Sequence, residues 1–155
     1  MIWNELNENC ILTGITPQDT DGVFEELGGT LVNAGICKES YVDALKDREK
    51  DFPTGLAIGE FGVAIPHTDS MHVNRSAVAI ATLSNPVIFY EMGAQNKAVP
   101  VEVVFMLAVS DPKEQIDTIQ DVMAVFQDTA VLKRLMAAEN AKEVIRIIRE
   151  KEEMR

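Results

Sequence analysis

The stretch Phe61-Gly-Val-Ala-Ile-Pro-His-Thr-Asp-Ser70 joins a short apolar run to a polar turn that contains a histidine. Residues 62–65 predict a buried strand, and Pro66 ends its hydrogen-bond ladder because proline has no N–H to donate. The chain therefore leaves the sheet at His67, between a rigid proline and a polar turn. A side chain in that position is oriented by the backbone, which is how a nucleophile or a ligand is usually presented.

Strands and helices are predicted on both sides of this stretch. Short apolar runs predict further strands at residues 10–15, 77–83, 87–90 and 101–109. Capping residues and helical spacing predict helices from Asp19 or Thr20 to Gly35, from about Ser40 to Phe52, after Asp111, from Asp128 to Met136 and after Asn140. In the helix after Asp111, the buried face is expected to carry Ile116, Ile119, Met123 and Phe126.

The connections between strands predict the type of sheet. Ser84-Asn-Pro86 is interpreted as a hairpin-sized connection, too short for a parallel crossover, so the sheet is expected to be mixed. Phe52 to Leu56 is interpreted as a turn before the strand that ends at His67. Helices on either side of a strand-rich middle predict an α/β fold, a three-layer α/β/α sandwich around a mixed β-sheet, in a single domain of residues 1–155.

Composition and charge exclude several classes of function. The 155 residues include 14 basic and 25 acidic side chains, and the formal net charge of -11 repels nucleic acids and anionic membrane surfaces. The first residues do not have the pattern of a signal peptide, and no apolar run approaches the ~20 residues that span a bilayer, so a cytoplasmic protein is expected. Cys10 and Cys37 are interpreted as reduced thiols in the core.

Arg48 interrupts the apolar stripe of the second predicted helix. Tyr41, Leu45 and Phe52 are spaced four and then seven residues apart, and Arg48 holds the intermediate position. Because an unpaired buried charge is very costly, a guanidinium on this stripe needs an anion or several acceptors. Alternatively, Arg48 reaches solvent or pairs with a neighbouring acid such as Glu49 or Asp51. Spacing alone leaves both interpretations open.

Three interpretations are open for His67 and the residues that follow it. His67, Asp69 and His72 could supply three metal ligands, although their spacing matches no standard zinc pattern and no fourth ligand is evident nearby. His67 could instead be a hydrogen-bonded turn residue with a structural role only. His72, in a more polar segment, is expected to have a surface or supporting role.

The third interpretation is nucleophilic catalysis by His67. A neutral imidazole nitrogen attacks phosphorus well, and the resulting phosphoramidate keeps a high transfer potential. Such a transfer depends on positioning and on neutralising the charge of the equatorial oxygens. Arg48 would supply that charge, and the hydroxyl groups of Thr54 and Thr68 could donate hydrogen bonds.

Several of these segments together resemble one protein family. Arg48-Glu49, Pro53-Thr-Gly55 and Gly62-Val-Ala-Ile-Pro-His67 closely resemble the phosphorylation region of the fructose/mannitol-type enzyme IIA domains of the bacterial phosphoenolpyruvate-dependent sugar phosphotransferase system. Glu102-Val-Val-Phe-Met-Leu-Ala108 and the helical tail also resemble that family. Within the family, Phe52-Pro-Thr-Gly55 and the segment from Pro66 to His72 are most similar to the galactitol-specific subclass.

The resemblance implies a phosphotransferase component that works without a cofactor or a metal. Its active histidine matches His67 and the family arginine matches Arg48. A cytoplasmic phosphocarrier of this family accepts a phosphoryl group from the phosphocarrier protein HPr and donates it to a cysteine of a cognate IIB component. The sugar or polyol, here galactitol, is then phosphorylated during import through a membrane IIC component. The alternative is a regulatory IIA-like domain that signals its phosphorylation state by binding a target protein.

One departure from the family pattern concerns its second active-site histidine. That place is taken here by Gln115, which can offer an amide hydrogen bond but cannot carry a positive charge. Two hypotheses follow: Arg48 carries more of the phosphate charge, or His72 partly replaces the missing imidazole. Since two macromolecules must reach His67, a shallow apolar patch is also expected around it, formed by Phe61, Met71 and Met92.

Overall fold

The structure is a computed structural model that describes residues 1–94 and 96–154. Its centre is a five-stranded sheet in the order β1-β4-β5-β3-β2. The strands are β1 (Leu6–Ile15), β2 (Gly55–Ile58), β3 (Phe61–Ala64), β4 (Ala77–Tyr90) and β5 (Ala98–Ala108). β1 pairs with β4 and β3 with β5 in parallel, whereas β4–β5 and β2–β3 are antiparallel, so the predicted mixed sheet is confirmed.

Five helices cover the two faces of this sheet. The first, α1, is α-helical at Thr20–Val23, π-helical at Phe24–Gly28 and α-helical again at Gly29–Asn33. The others are α2 (Tyr41–Asp51), α3 (Gln115–Phe126), α4 (Thr129–Ala137) and α5 (Ala141–Glu153). Single 3-10 turns lie at Trp3–Glu5, Ser70–His72 and Pro112–Glu114. None of the helices in the described residues is long and apolar enough to cross a bilayer.

The sheet separates two hydrophobic cores. Alternate residues of β5 point to opposite faces, as the two-residue period of a strand requires. Val104 and Met106 pack with the α1 and α2 side chains, whereas Val103 and Phe105 pack with those of α3, α4 and α5. This arrangement confirms the α/β/α sandwich, and it explains why residues 101–109 are so continuously apolar.

The interpretation of Ser84-Asn-Pro86 as a hairpin connection is wrong. β4 runs through these residues, and its register against β5 shifts between the pairs Thr82–Val103 and Val87–Val101, so the segment is an exposed bulge. A bulge tolerates proline because it leaves the hydrogen-bond ladder at that point. The antiparallel neighbour of β4 in this part of the sheet is β5, the next strand along the chain.

Two further assignments are corrected by the structure. Gly55 and Leu56, assigned to a turn, begin β2, which pairs with β3 across a two-residue turn where Gly59 has a φ of +59°. Ile116, expected on the buried face of α3, is 68% exposed. A residue advances by about 100° around a helix, so the buried positions Thr118 and Val122 turn Ile116 towards solvent.

A buried carboxylate joins the N-terminal segment to α5. Glu152 is 2% exposed. Its two oxygens accept the N–H groups of Ile2 and Trp3 at 2.9 and 2.8 Å. Arg149 lies over the Trp3 ring, 4.4 Å from the ring centroid. Glu152 therefore holds the N-terminal segment against α5, and its loss would leave the buried N–H of Ile2 and the partly buried N–H of Trp3 without an acceptor.

Candidate functional site

The backbone around His67 is fixed by hydrogen bonds on both sides of Pro66. The Ile65 N–H donates to the Thr54 carbonyl at 3.2 Å, and the Leu107 N–H donates to the Pro66 carbonyl at 2.9 Å. β3 also packs closely on β5, since a Cβ atom added at Gly62 would meet the Pro100 carbonyl oxygen. The predicted role of the proline is thus combined with an anchor to the central strand, and the histidine is presented by a rigid support.

The imidazole of His67 is oriented by the backbone carbonyl two residues earlier. Nδ1 lies 2.8 Å from the Ile65 carbonyl oxygen. Because a carbonyl only accepts hydrogen bonds, Nδ1 carries the proton and Nε2 keeps its lone pair in the neutral ring. Burial lowers the pKa of His67, and the charge of Arg48 lowers it further, while the Ile65 carbonyl and Asp69 act in the opposite direction. At neutral pH the ring is therefore a neutral base with Nε2 as its nucleophilic atom.

Arg48 lies in the last turn of α2 with its hydrogen-bonding capacity partly unused. Its Nη1 is 3.8 Å from Oδ1 of Asp69, and its Cζ is 4.9 Å from the centroid of the Phe52 ring. The Nε atom is buried and has no hydrogen-bond partner among the described residues. Arg48 thus pairs with Asp69 rather than with Glu49 or Asp51. A guanidinium with a long, exposed ion pair and an unused buried donor is suited to bind a further anion.

The stripe that suggested a buried Arg48 is only half buried. Tyr41 and Leu45 lie in the core, but Phe52 is 59% exposed, and its ring packs against the Arg48 guanidinium. The expected apolar patch also needs correction at one position, because Phe61 is only 9% exposed. Met71 and Met92 are exposed. Phe52 and Met92 line the same shallow groove, so an exposed apolar lip lies beside Arg48.

Thr54 is bound by the carboxylate of Glu49. The Thr54 N–H donates to Oε2 of Glu49 at 2.7 Å, and the Thr54 hydroxyl donates to Oε1 at 2.9 Å. Thr54 is 3% exposed, so its hydroxyl proton is directed to Glu49 inside the protein. Burial raises the pKa of Glu49 to about 7, although both hydrogen bonds from Thr54 favour the charged form.

The other predicted supporting residues are Thr68, Gln115 and His72, and the fold places them differently relative to His67. Thr68 follows His67 directly and is buried. Gln115 is the first residue of α3, after β5. Since β3 and β5 are parallel neighbours, the segments that carry His67 and Gln115 both leave the sheet at the same edge. His72 is held elsewhere, with Nδ1 2.8 Å from the Ser40 hydroxyl.

The position of Ser40 separates His72 from Arg48. Ser40 immediately precedes α2, whereas Arg48 is eight residues further along, which is about 12 Å of helix. The backbone carbonyl of His72 also accepts the Lys38 N–H at 2.9 Å. His72 therefore connects the turn after His67 to the start of α2. Within residues 1–94 and 96–154, no three His, Cys, Asp or Glu side chains are grouped so that they could hold a metal ion.

Asp69, Glu49 and Phe52 have roles in this site that residue patterns did not assign. Asp69 appeared only as a possible metal ligand, and its ion pair with Arg48 depends on the tertiary fold. The sequence offers Glu49 as part of the Arg48-Glu49 motif and as a possible partner of Arg48, but nothing in the spacing predicts its bonds to Thr54. The site as a whole combines a neutral imidazole nitrogen with a partly unsatisfied guanidinium, which is an arrangement that can accept and release a phosphoryl group.

Comparison with known proteins agrees with this chemistry. Residues 4–151 match the family described as phosphoenolpyruvate-dependent sugar phosphotransferase system, EIIA 2. The sequence is 27% identical over 126 residues to the galactitol-specific EIIA component of Escherichia coli K12, and the match covers 81% of this chain and 83% of that protein.

Solved structures of similar proteins share the fold over nearly the whole chain. A putative IIA protein of Streptococcus mutans, PtxA, has a TM-score of 0.81 and 25% identity, covering 98% of this chain and 95% of that one. The nitrogen regulatory protein IIA-Ntr of Neisseria meningitidis has a TM-score of 0.76 and 26% identity, with coverages of 94% and 97%. Enzyme IIA-Mtl of Escherichia coli, solved in complex with phosphorylated enzyme IIB-Mtl, has a TM-score of 0.77 and 23% identity, with coverages of 94% and 97%. This chain belongs to the EIIA type 2 family of the phosphoenolpyruvate-dependent sugar phosphotransferase system.

Proposed function

We propose that this chain is a cytoplasmic phosphocarrier in which Nε2 of His67 accepts a phosphoryl group from phospho-HPr and donates it to a cysteine of a cognate IIB component. EIIA components are phosphotransferase proteins that pass phosphoryl groups through a histidine during sugar or polyol uptake. The observation that carries the assignment to His67 is its ring orientation. Nδ1–H is bound to the Ile65 carbonyl, so the lone pair of Nε2 is available at neutral pH.

The transfer needs no proton transfer at the ring. In the first step the Nε2 lone pair forms a bond to phosphorus, and the bond between phosphorus and the donor atom of HPr breaks. In the second step a thiolate of IIB forms the bond to phosphorus, and the Nε2–P bond breaks. Nδ1 keeps its proton throughout, and the Ile65 carbonyl stabilises the positive charge that the phosphorylated ring acquires.

Arg48 is proposed to neutralise the phosphoryl oxygens. Its Nε and Nη groups are unused or weakly used, and the 3.8 Å pair with the exposed Asp69 is a contact that an incoming dianion can replace. Thr68 and Gln115 are proposed to add hydrogen bonds at the same group. Thr54 is proposed to act through Glu49 instead, because its hydroxyl is bound there. His72 is proposed to steady the turn after His67 through Ser40.

The exposed apolar lip beside Arg48 is proposed as the docking surface for both protein partners. Phe52 is 59% exposed and Met92 is 39% exposed, and exposed apolar side chains next to a reactive group are typical of a protein interface. The formal net charge of -11 favours partners that bring basic faces. The complex of IIA-Mtl with phosphorylated IIB-Mtl supports a IIB component as one of them. Membrane association through IIC would then be indirect.

The first experiment is intact-mass measurement after incubation with phosphoenolpyruvate, enzyme I and HPr. We expect one acid-labile adduct of about 80 Da on the wild type and none on His67→Gln. His72→Gln is the matched control and is expected to acquire the same adduct. A folded wild type that acquires no adduct, or a His67→Gln variant that acquires the same one, would contradict the assignment.

Discharge of the phosphorylated protein tests its partner and its substrate class. The galactitol relative supports transfer to a galactitol-type IIB component, so we expect faster loss of the adduct with galactitol IIB than with mannitol IIB. The likeness to nitrogen regulatory protein IIA-Ntr supports a second candidate, a regulatory domain. A protein that is phosphorylated at His67 but discharged by neither IIB component would favour that regulatory role.

A further inference from the structure

Glu49 connects the end of α2 to the beginning of β2 without touching His67. Its carboxylate lies one residue after Arg48 and binds both the N–H and the hydroxyl of Thr54. The Arg48 carbonyl meanwhile accepts the Phe52 N–H at 2.8 Å, which closes the last turn of the helix. The segment between Arg48 and Thr54 is thus hydrogen-bonded at both ends, and Glu49 accepts the hydrogen bonds at the end that leads into the sheet.

From Thr54 a short chain of hydrogen bonds leads to the reactive ring. The Thr54 carbonyl oxygen accepts the Ile65 N–H at 3.2 Å. The Ile65 carbonyl then accepts Nδ1–H of His67 at 2.8 Å. At Thr54 and at Ile65 the connection passes from the N–H to the carbonyl through the Cα of a buried residue, so a displacement at Thr54 is expected to shift the Ile65 carbonyl that holds the ring.

The burial of these groups makes Glu49 difficult to replace by water. Thr54 is 3% exposed and Ile65 is fully buried. A substitution that removes the Glu49 carboxylate would leave the Thr54 N–H and hydroxyl without acceptors in the protein interior. The segment would have to move to satisfy them, and both Arg48 and the Ile65 carbonyl would move with it.

We propose that Glu49 is a positioning residue for phosphoryl transfer: by holding Thr54, it keeps the Ile65 carbonyl against Nδ1 of His67 and keeps Arg48 beside the ring. This inference rests on the proposed function, since it concerns the same histidine. It assigns to Glu49 no contact with the phosphoryl group and no proton transfer to it.

Two substitutions at position 49 separate the hydrogen bonds from the negative charge. In Glu49→Gln the amide oxygen can accept the Thr54 N–H, and the amide nitrogen can donate to the Thr54 hydroxyl oxygen, so both hydrogen bonds are kept. In Glu49→Ala both bonds are lost. Thr54→Ser and Thr54→Val form a second pair, because serine keeps the hydroxyl and valine lacks it. Asp47→Ala, an exposed acid on the same helix, is the control for the change in net charge.

The test measures single-turnover phosphorylation by phospho-HPr together with the ¹⁵N and ¹H NMR signals of the His67 ring. For Glu49→Ala we expect a rate at saturating donor reduced by about tenfold to a hundredfold, an unchanged half-saturating concentration, and a shift from the Nδ1–H towards the Nε2–H tautomer. Thr54→Val is expected to change both readouts in the same direction but less. Glu49→Gln, Thr54→Ser and Asp47→Ala are expected to stay within about threefold of the wild-type rate.

The two readouts keep this inference distinct from the function it rests on. If the wild type is never phosphorylated, the proposed function fails, while the ring tautomer in Glu49→Ala still tests the positioning role. If the wild type is phosphorylated and Glu49→Ala is folded, with an unchanged rate and unchanged ring signals, the positioning role is overturned. If Glu49→Ala does not fold, Thr54→Val decides: a wild-type rate and wild-type ring signals in that variant overturn the proposal.

Discussion

Glu152 and Glu49 are two inward-facing carboxylates that each receive two hydrogen bonds, yet they lie in regions of opposite character. Glu152 binds the N–H groups of Ile2 and Trp3 and joins two ends of the described chain. Glu49 binds the N–H and the hydroxyl of Thr54 and joins a helix to the sheet. Glu152 closes a contact between structural segments. Glu49 holds the helix that carries Arg48 to the start of β2, the strand next to the one that presents His67.

The difference lies in what the neighbouring side chains leave unused. Beside Glu152, Arg149 lies over the Trp3 ring and is also paired with Glu153, and the one buried donor left without a partner among the described residues is the neutral indole Nε1 of Trp3. Beside Glu49, Arg48 has a buried Nε without a partner among the described residues, His67 keeps a free Nε2, and Phe52 is exposed. The same hydrogen-bonding device therefore serves stability in one region and alignment of unsatisfied groups in the other.

The largest effect is expected at Glu152 and only on stability. Glu152→Ala leaves the buried N–H of Ile2 and the partly buried N–H of Trp3 without an acceptor, so the free energy of unfolding should fall by about 3 kcal/mol. Chemical denaturation measures this change, with the exposed Glu150→Ala as control, which should cost less than about 0.5 kcal/mol. Phosphorylation per folded molecule should be unchanged. A slower transfer in folded Glu152→Ala would remove the distinction between the two regions.

The next effect is expected at Arg48 and only on transfer. Arg48→Ala removes the guanidinium that is proposed to neutralise the phosphoryl oxygens, and we expect a rate about a hundredfold lower. Arg48→Lys should recover part of that loss, because an ammonium keeps the charge but not the planar set of donors. Single-turnover phosphorylation measures both variants, and Arg134→Ala, an exposed arginine on α4, is the control. Loss of activity that follows loss of folded protein would count against a role in transfer.

The third effect is the dependence of stability on pH at Glu49. Burial raises its pKa from 4.5 to about 7, so the folded state favours the protonated acid. The resulting stabilisation is fully present below pH 4.5 and is lost as the pH rises through about 7. Between pH 5 and pH 8 the free energy of unfolding of the wild type should fall by roughly 2 kcal/mol relative to that of Glu49→Gln, which cannot ionise at position 49. Chemical denaturation of both proteins at several pH values measures this difference. If the two free energies of unfolding change with pH in parallel, the pKa of Glu49 is not raised.

The smallest effect is expected at the exposed lip. Phe52→Ser removes an aromatic side chain that is 59% exposed, so stability should change by less than about 0.5 kcal/mol. Binding of phospho-HPr should weaken by about fivefold, with little change in the rate at saturation. Titration of the rate with donor concentration separates the two quantities. Ile88→Ser, exposed on β4, is the control, and equal effects of both variants would argue against a lip specific to the site.

Local signals predicted the parts of the fold that depend on neighbouring residues. Pro66 marked the end of β3 because its effect on the ladder is the same in any context. Asp128 and Asn140 predicted helix starts correctly, since each side chain accepts an N–H three residues later. The same logic failed at Ser84-Asn-Pro86, because residues that favour a turn also favour a bulge.

The geometry of the site depended on contacts that sequence spacing does not encode. Arg48 and Asp69 are far apart in the sequence and meet only in the folded chain, so the partner of Arg48 could not be chosen from nearby acids. Ile116 was assigned to the buried face because its apolar side chain fits a helical period, but the structure turns the neighbouring positions inward. The bonds from Thr54 to Glu49 span only five residues, yet a proline between them leaves no periodic signal.

The bulge at residues 84–86 has a consequence for the behaviour of the protein at high concentration. β1 makes its last pair with β4 at Ile15–Leu83, so the outer half of β4 extends beyond its neighbour on that side. An extended apolar strand with a free edge is a template for a strand of another molecule. Here Pro86 has no N–H to donate, and the Thr20 hydroxyl donates a hydrogen bond to the Ile88 carbonyl at 2.7 Å. The bulge and one threonine thus protect the protein against edge-to-edge aggregation.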